Sequence, residues 1–524
     1  MNTILGELGK SKKFVELIKN IEEKQSPIGI SGLSNVGMLE TIASINEYSK
    51  KPIAIITYNE IQAKWIMENI QFFTDKAIYF PKKDIVTYNY VAESKDLPYS
   101  RIEALNKINN KRNYILVTTI EAAMQKLPAK QLLYKNTLKF KVGEIHSLDK
   151  IKQNLVNLGY TRCDLIEGRG QFSLRGGILD ISINDAIGVR VEFWGDEIDS
   201  IRNFNIISQR SINTLEKVEI EPAHEYILEK PIEEICKKAI ANDEQEEIIE
   251  QDIEQIKAGN YISKIDKYFD CFYDKQETII DYLNTNSIIT FDEIRKIEQR
   301  AQNIIKDNEQ LIKNLIEKGK VVPQAISNIQ TFSSIENNTK ESKKTIIYIE
   351  KQDTKIERQS QNYNFQYRAI NYYKSEIETL FTDIKKAQEK GKNIYVVVDT
   401  KEKAKKLQEI LEQENIMSKI EEKLDKTIIV KSQEKIITIA IGKLTEGFEN
   451  YEINQVIISA DELIEGGKKK KTFAHQAYKE GEKVVFADLK IGDYVVHKNY
   501  GIGIYIGVNT ITADGTTKDY IKLK

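Results

Sequence analysis

The segment Gly29-Ile30-Ser31-Gly32-Leu33-Ser34-Asn35-Val36-Gly37-Met38-Leu39 is where this 524-residue sequence comes nearest to catalytic chemistry. A nucleotide-binding P-loop follows a strand and opens a helix. Its glycines let backbone N–H groups close around phosphate, a Lys neutralises the charge, and the adjoining Ser or Thr binds magnesium. Gly32 and Gly37 keep that spacing, but Met38 stands in the place of the Lys and Leu39 in the place of the hydroxyl. The charge clamp and the metal ligand are lost together, and transition-state stabilisation in phosphoryl transfer depends on both. The loop reads as a relic. IITFDE at 288–293 and VIISADE at 456–462 each end an apolar strand in adjacent carboxylates, as a magnesium-binding motif would. With no Lys-bearing loop to serve, Asp292 and Asp461 are expected to cap helices. Cys163, Cys236 and Cys271 form no CxxC pair, His146, His224, His475 and His497 are dispersed, and no GxSxG occurs. No catalytic residue, resident metal or cofactor is expected.

A second group of residues suits binding rather than catalysis. Strand alternation puts Arg175 on one strand of SLRGGILD, and Arg190 and Trp194 on a shared face of RVEFW by their even spacing. Arg and Trp are the residue types that most often dominate protein interfaces. The plain alternative is a core Trp194, with the arginines paired to Glu192 or Asp196.

The elements that must carry these residues follow from patterning. Residues 27–127 alternate short apolar runs with helical patterns, which predicts βαβ units and a parallel sheet. From about Leu158 to Pro222 glycines punctuate alternating β segments, as in a small, mostly β insert. Residues 228–343 are charge-rich and helical, broken by the strand-like NSIITF, and SSIENNTKESKK is the expected linker. TIIYIE at 345 is expected to open another α/β unit, which ends near Glu465; GGKKKK, with Lys468–Lys471, reads as a solvated linker. The last segment, LKIGDYVVHKNYGIGIYIGV, is glycine-punctuated β structure with turns and bulges of a bent antiparallel sheet at Gly492, Gly501, Gly503 and Gly507; Tyr500, Tyr505 and Tyr520 are expected as core or contact residues. Its strands are expected to form an incomplete barrel. Lys plus Arg is 77 against 79 for Asp plus Glu, so a net charge of −2 provides no global field for nucleic acid. No apolar stretch reaches membrane-spanning length, and sparse cysteines fit a cytoplasmic protein.

GLSNVGMLE, FPKKDIVTYNYVAESKDLPYSRIEALNKI, GYTRCDLIEGRGQFSLRGGILDI, VRVEFWGDEIDSIRNFN, SQRS, EPAHEY and LKIGDYVVHKNYGIGIYIGV, in that order, resemble the bacterial transcription-repair coupling factors (Mfd). The first segments are also similar to UvrB, and GDYVVHKNYGIG is similar to CarD-type RNA polymerase-binding domains. The resemblance implies a multidomain α/β protein: a UvrB-like degenerate RecA/P-loop-type parallel-sheet domain at 1–127 and 223–343, interrupted by a UvrA-binding α+β insert at 128–222. It further implies a species-variable α/β domain at 344–465, a linker at 466–487 and an incomplete CarD/Tudor-like β domain at 488–524. The implied UvrA contacts match Arg175, Arg190 and Trp194; Tyr520, Ile521 and Leu523 would face RNA polymerase. The implied role is recruitment of UvrA to stalled polymerase, while ATP and Mg2+ would serve motor domains expected to lie outside this chain. A UvrB-like damage-binding or weakly nucleotide-binding protein is the alternative.

Overall fold

The computed structural model describes residues 3–83, 96–135, 137–227, 275–317, 329–351, 361–370, 377–421, 436–460, 501–513 and 516–523, with scattered positions at 246–273 and 492–497. Asp461, Lys468–Lys471 and the whole 466–487 linker lie outside the described residues, as do His475, Tyr500, Cys236 and Cys271.

The strands Ile28–Ser31, Ile53–Thr57, Ile115–Thr119, Ile288–Asp292 and Thr345–Glu350 are continuous apolar runs. Such runs suit a parallel sheet covered on both faces. They form one with Gln361–Asn364 and Ala77–Phe80 at the edges, in the order 361–28–345–288–53–115–77 by first residue. Every pairing in it is parallel. The expected α/β architecture is present, but the place of one strand differs. TIIYIE does not open the next unit: Thr345–Glu350 sits inside the first sheet, between Ile28–Ser31 and Ile288–Asp292. The division between the two sheets therefore falls at Phe365–Gln366 rather than at residue 344.

The expected linker at 333–344 is also corrected. Residues Phe332–Glu341 form a helix capped by Thr331, with Ile335 and Thr339 buried. Its polar composition hides internal bonds: Asn338 donates to Asp281 Oδ1 at 2.8 Å, and Tyr348 donates to Glu336. Nor does Asp292 cap a helix. Its buried carboxylate accepts from Thr57 Oγ1 at 3.1 Å and Gln62 Nε2 at 3.2 Å, and burial raises its pKa.

A second sheet runs in the order Tyr367–Ile370, Gly447–Asn450, Gln455–Ser459, Asn393–Val398, Ile437–Ile441 and Ser418–Glu421. The helix Asn35–Ser49 lies between the two sheets. Residues Val36–Asn46 are buried all round it, as expected for a helix covered on every side. One apolar cluster accordingly joins Ile30, Met38 and Leu39 to Val397, Phe448 and Ile457.

The insert is a mostly antiparallel six-stranded sheet of Thr161–Arg162, Gln171–Arg175, Ile178–Ser182, Ile187–Trp194, Glu197–Asn205 and Ser211–Leu215. Val189, Val191 and Phe193 alternate inward and share a core with Phe172 and Leu179 that continues to Phe80 and Leu116 of the first sheet. The returning chain is fastened by a buried ion pair between Arg101 and Glu225, with Arg101 Nη2 donating at 3.1 Å and its guanidinium 4.2 Å over the Phe80 ring. Burial would raise the Glu225 pKa, but Arg101 and Lys83 together hold it below the usual carboxylate value. The last strands, Tyr494–His497, Gly501–Ala513 and Thr516–Leu523, form a three-stranded antiparallel sheet.

Candidate functional site

The outward positions of the insert sheet gather the predicted binding residues. Arg190 faces Asp180 on one neighbouring strand and Arg202 on the other, and Glu192 faces Ser200 and Ile178. Trp194 ends the same strand and faces Glu197 across the hairpin. Its side chain is 85% exposed, so it is not the core aromatic that composition favours. The turn between Arg175 and Ile178 explains the glycine pair. Gly176 has φ +59°, and a Cβ on Gly177 would meet the Phe193 carbonyl oxygen at 2.6 Å. That close approach brings the Arg175 end of the sheet against the Trp194 end, with Phe193 N–H donating to Gly177 O at 2.7 Å.

The three predicted residues are not equivalent. Arg190 donates from Nε to Asp180 Oδ1 at 2.6 Å and from Nη2 to Asp180 Oδ2 at 2.9 Å, and its guanidinium lies 4.5 Å over the Phe204 ring. Its side chain is only 19% exposed. The bonds to Asp180 push the Arg190 pKa above its ordinary value. Arg175 makes one longer bond to the same carboxylate, 3.2 Å to Oδ2, and is half-exposed. Neither arginine pairs with Glu192 or Asp196. Glu192 takes Arg202 and accepts from Ser200 Oγ at 2.7 Å. Asp180, 1% exposed, is the residue that sequence reasoning missed, although an aspartate inside the apolar run Ile178–Ser182 was the signal for it. The resulting outer face offers an exposed indole and a half-exposed guanidinium held over a fixed acid–base pair.

The relic loop is geometrically occupied by its own chain. A Cβ on Gly32 (φ +74°) would meet Phe365 O at 1.9 Å, and one on Gly37 would meet the Tyr367 ring at 2.3 Å. Phe365 N–H donates to Ser31 O at 2.9 Å and Tyr367 N–H to Gly32 O at 3.0 Å. Met38 and Leu39 are buried between the sheets. The Tyr367 hydroxyl donates to Glu40 Oε2 at 2.8 Å, while Thr41 donates to Tyr367 at 3.2 Å. Burial pushes the Glu40 pKa up to about 8. The residues where a phosphate would rest thus form the joint between the two sheets. Among the described residues no group of three or more His, Cys, Asp or Glu gathers to hold a metal ion, and no helix is long and apolar enough to cross a membrane. Of the polymerase-facing residues expected, Tyr520, Ile521 and Leu523 have their backbone in the strand Thr516–Leu523, opposite Asn509, Val508 and Tyr505.

The UvrB interaction domain family matches residues 138–226, the stretch that holds the whole outer face. The CarD-like/TRCF RID domain family matches 489–524. The transcription-repair-coupling factor of Bacillus subtilis (strain 168) is 28% identical over 544 aligned residues, spanning 100% of this chain and 45% of that protein. The chain is similar to transcription-repair coupling factors along its whole length. The factors of Staphylococcus aureus (strain bovine RF122 / ET3-1) and Staphylococcus epidermidis (strain ATCC 35984) are each 27% identical, over 94% and 95% of this chain. The chain spans less than half the length of these coupling factors, 43–45% in the three cases.

Two outcomes follow for stability. Arg190→Ala leaves the buried Asp180 carboxylate with a single long bond and is expected to cost about 3–5 kcal/mol, whereas Arg175→Ala is expected to cost less than about 1 kcal/mol. Thermal unfolding of the two variants checks this. Glu40 binds its proton more tightly in the folded chain than its usual value of 4.5 allows when unfolded. Its contribution is complete below pH 4.5 and declines as the pH rises towards about 8. The decline is on the order of 1 kcal/mol per pH unit. Urea unfolding between pH 5 and 8 is expected to show that decline in the wild type and its loss in Glu40→Gln.

Proposed function

We propose that this chain is the part of a transcription-repair coupling factor that recruits UvrA, through the outer face of its insert sheet. The observation that carries the reading is Trp194: an indole 85% exposed, on the face shared by Arg175 and Arg190, within the residues matched by the UvrB interaction domain family. An exposed indole in water is a poor structural element and a good interface anchor. In this reading Trp194 and Arg175 touch UvrA, and Arg190 acts through Asp180 as a positioning residue. The three-stranded sheet at the carboxyl end, within the CarD-like/TRCF RID match, is the proposed contact with RNA polymerase, with Tyr520, Ile521 and Leu523 on its last strand. Recruitment of excision repair to a stalled polymerase follows from joining the two contacts in one chain.

We further propose that residues 1–524 do no ATP chemistry and use no cofactor or metal of their own, so that DNA translocation belongs to other parts of a coupling factor. The occupied loop supports this: Asn364–Tyr367 fill the space beside Gly32 and Gly37, and Met38 and Leu39 provide neither cation nor hydroxyl. The near-neutral charge disfavours a UvrB-like damage-binding role. A CarD/Tudor-like fold for the last sheet and a UvrB-like origin for the first are parts of the same proposal, and a cytoplasmic location fits both partners.

Titration calorimetry with UvrA tests the recruitment role. Trp194→Ala and Arg175→Ala are each expected to weaken binding by at least about 2 kcal/mol, roughly thirtyfold, with the melting temperature unchanged. Wild-type affinity in both variants would remove the outer face from the account.

A further inference from the structure

A hot-spot aromatic gains its energy when neighbouring contacts exclude water from around it. Trp194 stands at a hairpin end, and the sheet register identifies which residues flank it. Glu197 is directly opposite Trp194 on one side and forms an antiparallel bridge with Ile145 on the other. Directly opposed residues project to the same face, so Ile145, Glu197 and Trp194 form one row across two strands and the loop that holds Ile145. Ile178 is opposite Glu192, two positions before Trp194, and Arg175 is opposite Ile178. Ile145 is 76% exposed and Ile178 is 38% exposed. The loop that carries Ile145 is fixed rather than loose: Gly143 N–H donates to Ile198 O at 2.8 Å, Ile198 N–H to Glu144 O at 2.9 Å, and His146 N–H to Asp196 O at 2.8 Å.

We infer that Ile145 and Ile178 are contact residues flanking Trp194, forming one apolar strip that docks on UvrA. The inference rests on the recruitment reading above and extends it beyond Arg175 and Trp194 to a residue on a different loop. The strip meets Arg175 at its Ile178 end, with Glu192 beside the diagonal from Ile178 to the indole and Glu197 between the indole and Ile145. The chemistry that fits it is an apolar depression on UvrA, with a carboxylate placed for Arg175 and a donor placed for Glu197.

The test is calorimetric titration of the full chain with UvrA, comparing wild type, Trp194→Ala, Ile145→Asp and Ile178→Asp, with thermal melts of each and sedimentation of the free chain. Ile145 is on the surface, so the Ile145→Asp melt is expected to be unchanged, whereas Ile178→Asp sets a second acid opposite Glu192 and is expected to lower its melt slightly while unfolding stays cooperative. A charge placed in the strip is expected to lower affinity at least about tenfold for both isoleucine variants. If Trp194→Ala loses binding while Ile145→Asp binds as wild type does, the strip ends at the indole: the inference fails and the recruitment reading stands. If Trp194→Ala and Ile145→Asp both retain wild-type affinity, both fail. Self-association of the wild type that Ile145→Asp abolishes without touching UvrA affinity would assign the strip to a second copy and overturn the inference.

Discussion

A carboxylate buried in the middle of a sheet face has to be neutralised where it stands, and Asp180 imposes that condition on the insert. Its two oxygens are met by the fork of Arg190 from the next strand, which fixes the pairing of Ile178–Ser182 with Ile187–Trp194 as firmly as the apolar residues beneath do. A one-residue slip would separate the pair and turn Val189, Val191 and Phe193 to solvent at the same time. A second bond accepted by Oδ2, donated by Arg175 Nη2, then ties that half-exposed guanidinium to the same carboxylate. The geometry of the outer face is therefore set by an interaction that itself lies under the surface.

The same economy of parts is visible at the relic loop. Glycines that would let backbone amides approach a phosphate let Phe365 and Tyr367 approach instead. A helix whose first turn would meet a nucleotide is buried between two sheets, with Glu40 held mostly neutral by that burial near neutral pH. Loss of the Lys and the hydroxyl at Met38 and Leu39 is what makes this joint feasible, since a buried Lys without a partner would be costly there. The two sheets are consequently anchored to each other, while Trp194 on the outer face of the insert stays 85% exposed.

What was legible in the sequence was local. Alternation along Arg190–Trp194 placed the right residues on one face, and the α/β texture expected up to Glu465 agrees with the alternation of Ile377–Glu389, Asn393–Val398 and Lys401–Gln413. What was not legible depended on pairing between distant segments. An apolar run such as Thr345–Glu350 carries no mark of which sheet it joins, and it enters the first by lying between strands that begin at residues 28 and 288. The polar helix Phe332–Glu341 was hidden because only Phe332 and Ile335 give it an apolar side, and the bonds from Asn338 to Asp281 and from Tyr348 to Glu336 join segments distant in sequence. Asp180 was hidden for the same reason: its partners lie on other strands, and only the register names them.

The central claim is that the outer face of the insert sheet is the surface this chain presents to UvrA. Hydrogen exchange of the full chain with and without UvrA tests it most directly, because it reports on every backbone segment at once. The account predicts slowed exchange over 143–146, 175–178 and 192–197, with exchange over 32–41 unchanged. Binding of UvrA that leaves those three segments unaltered, or that protects the relic loop instead, would contradict it.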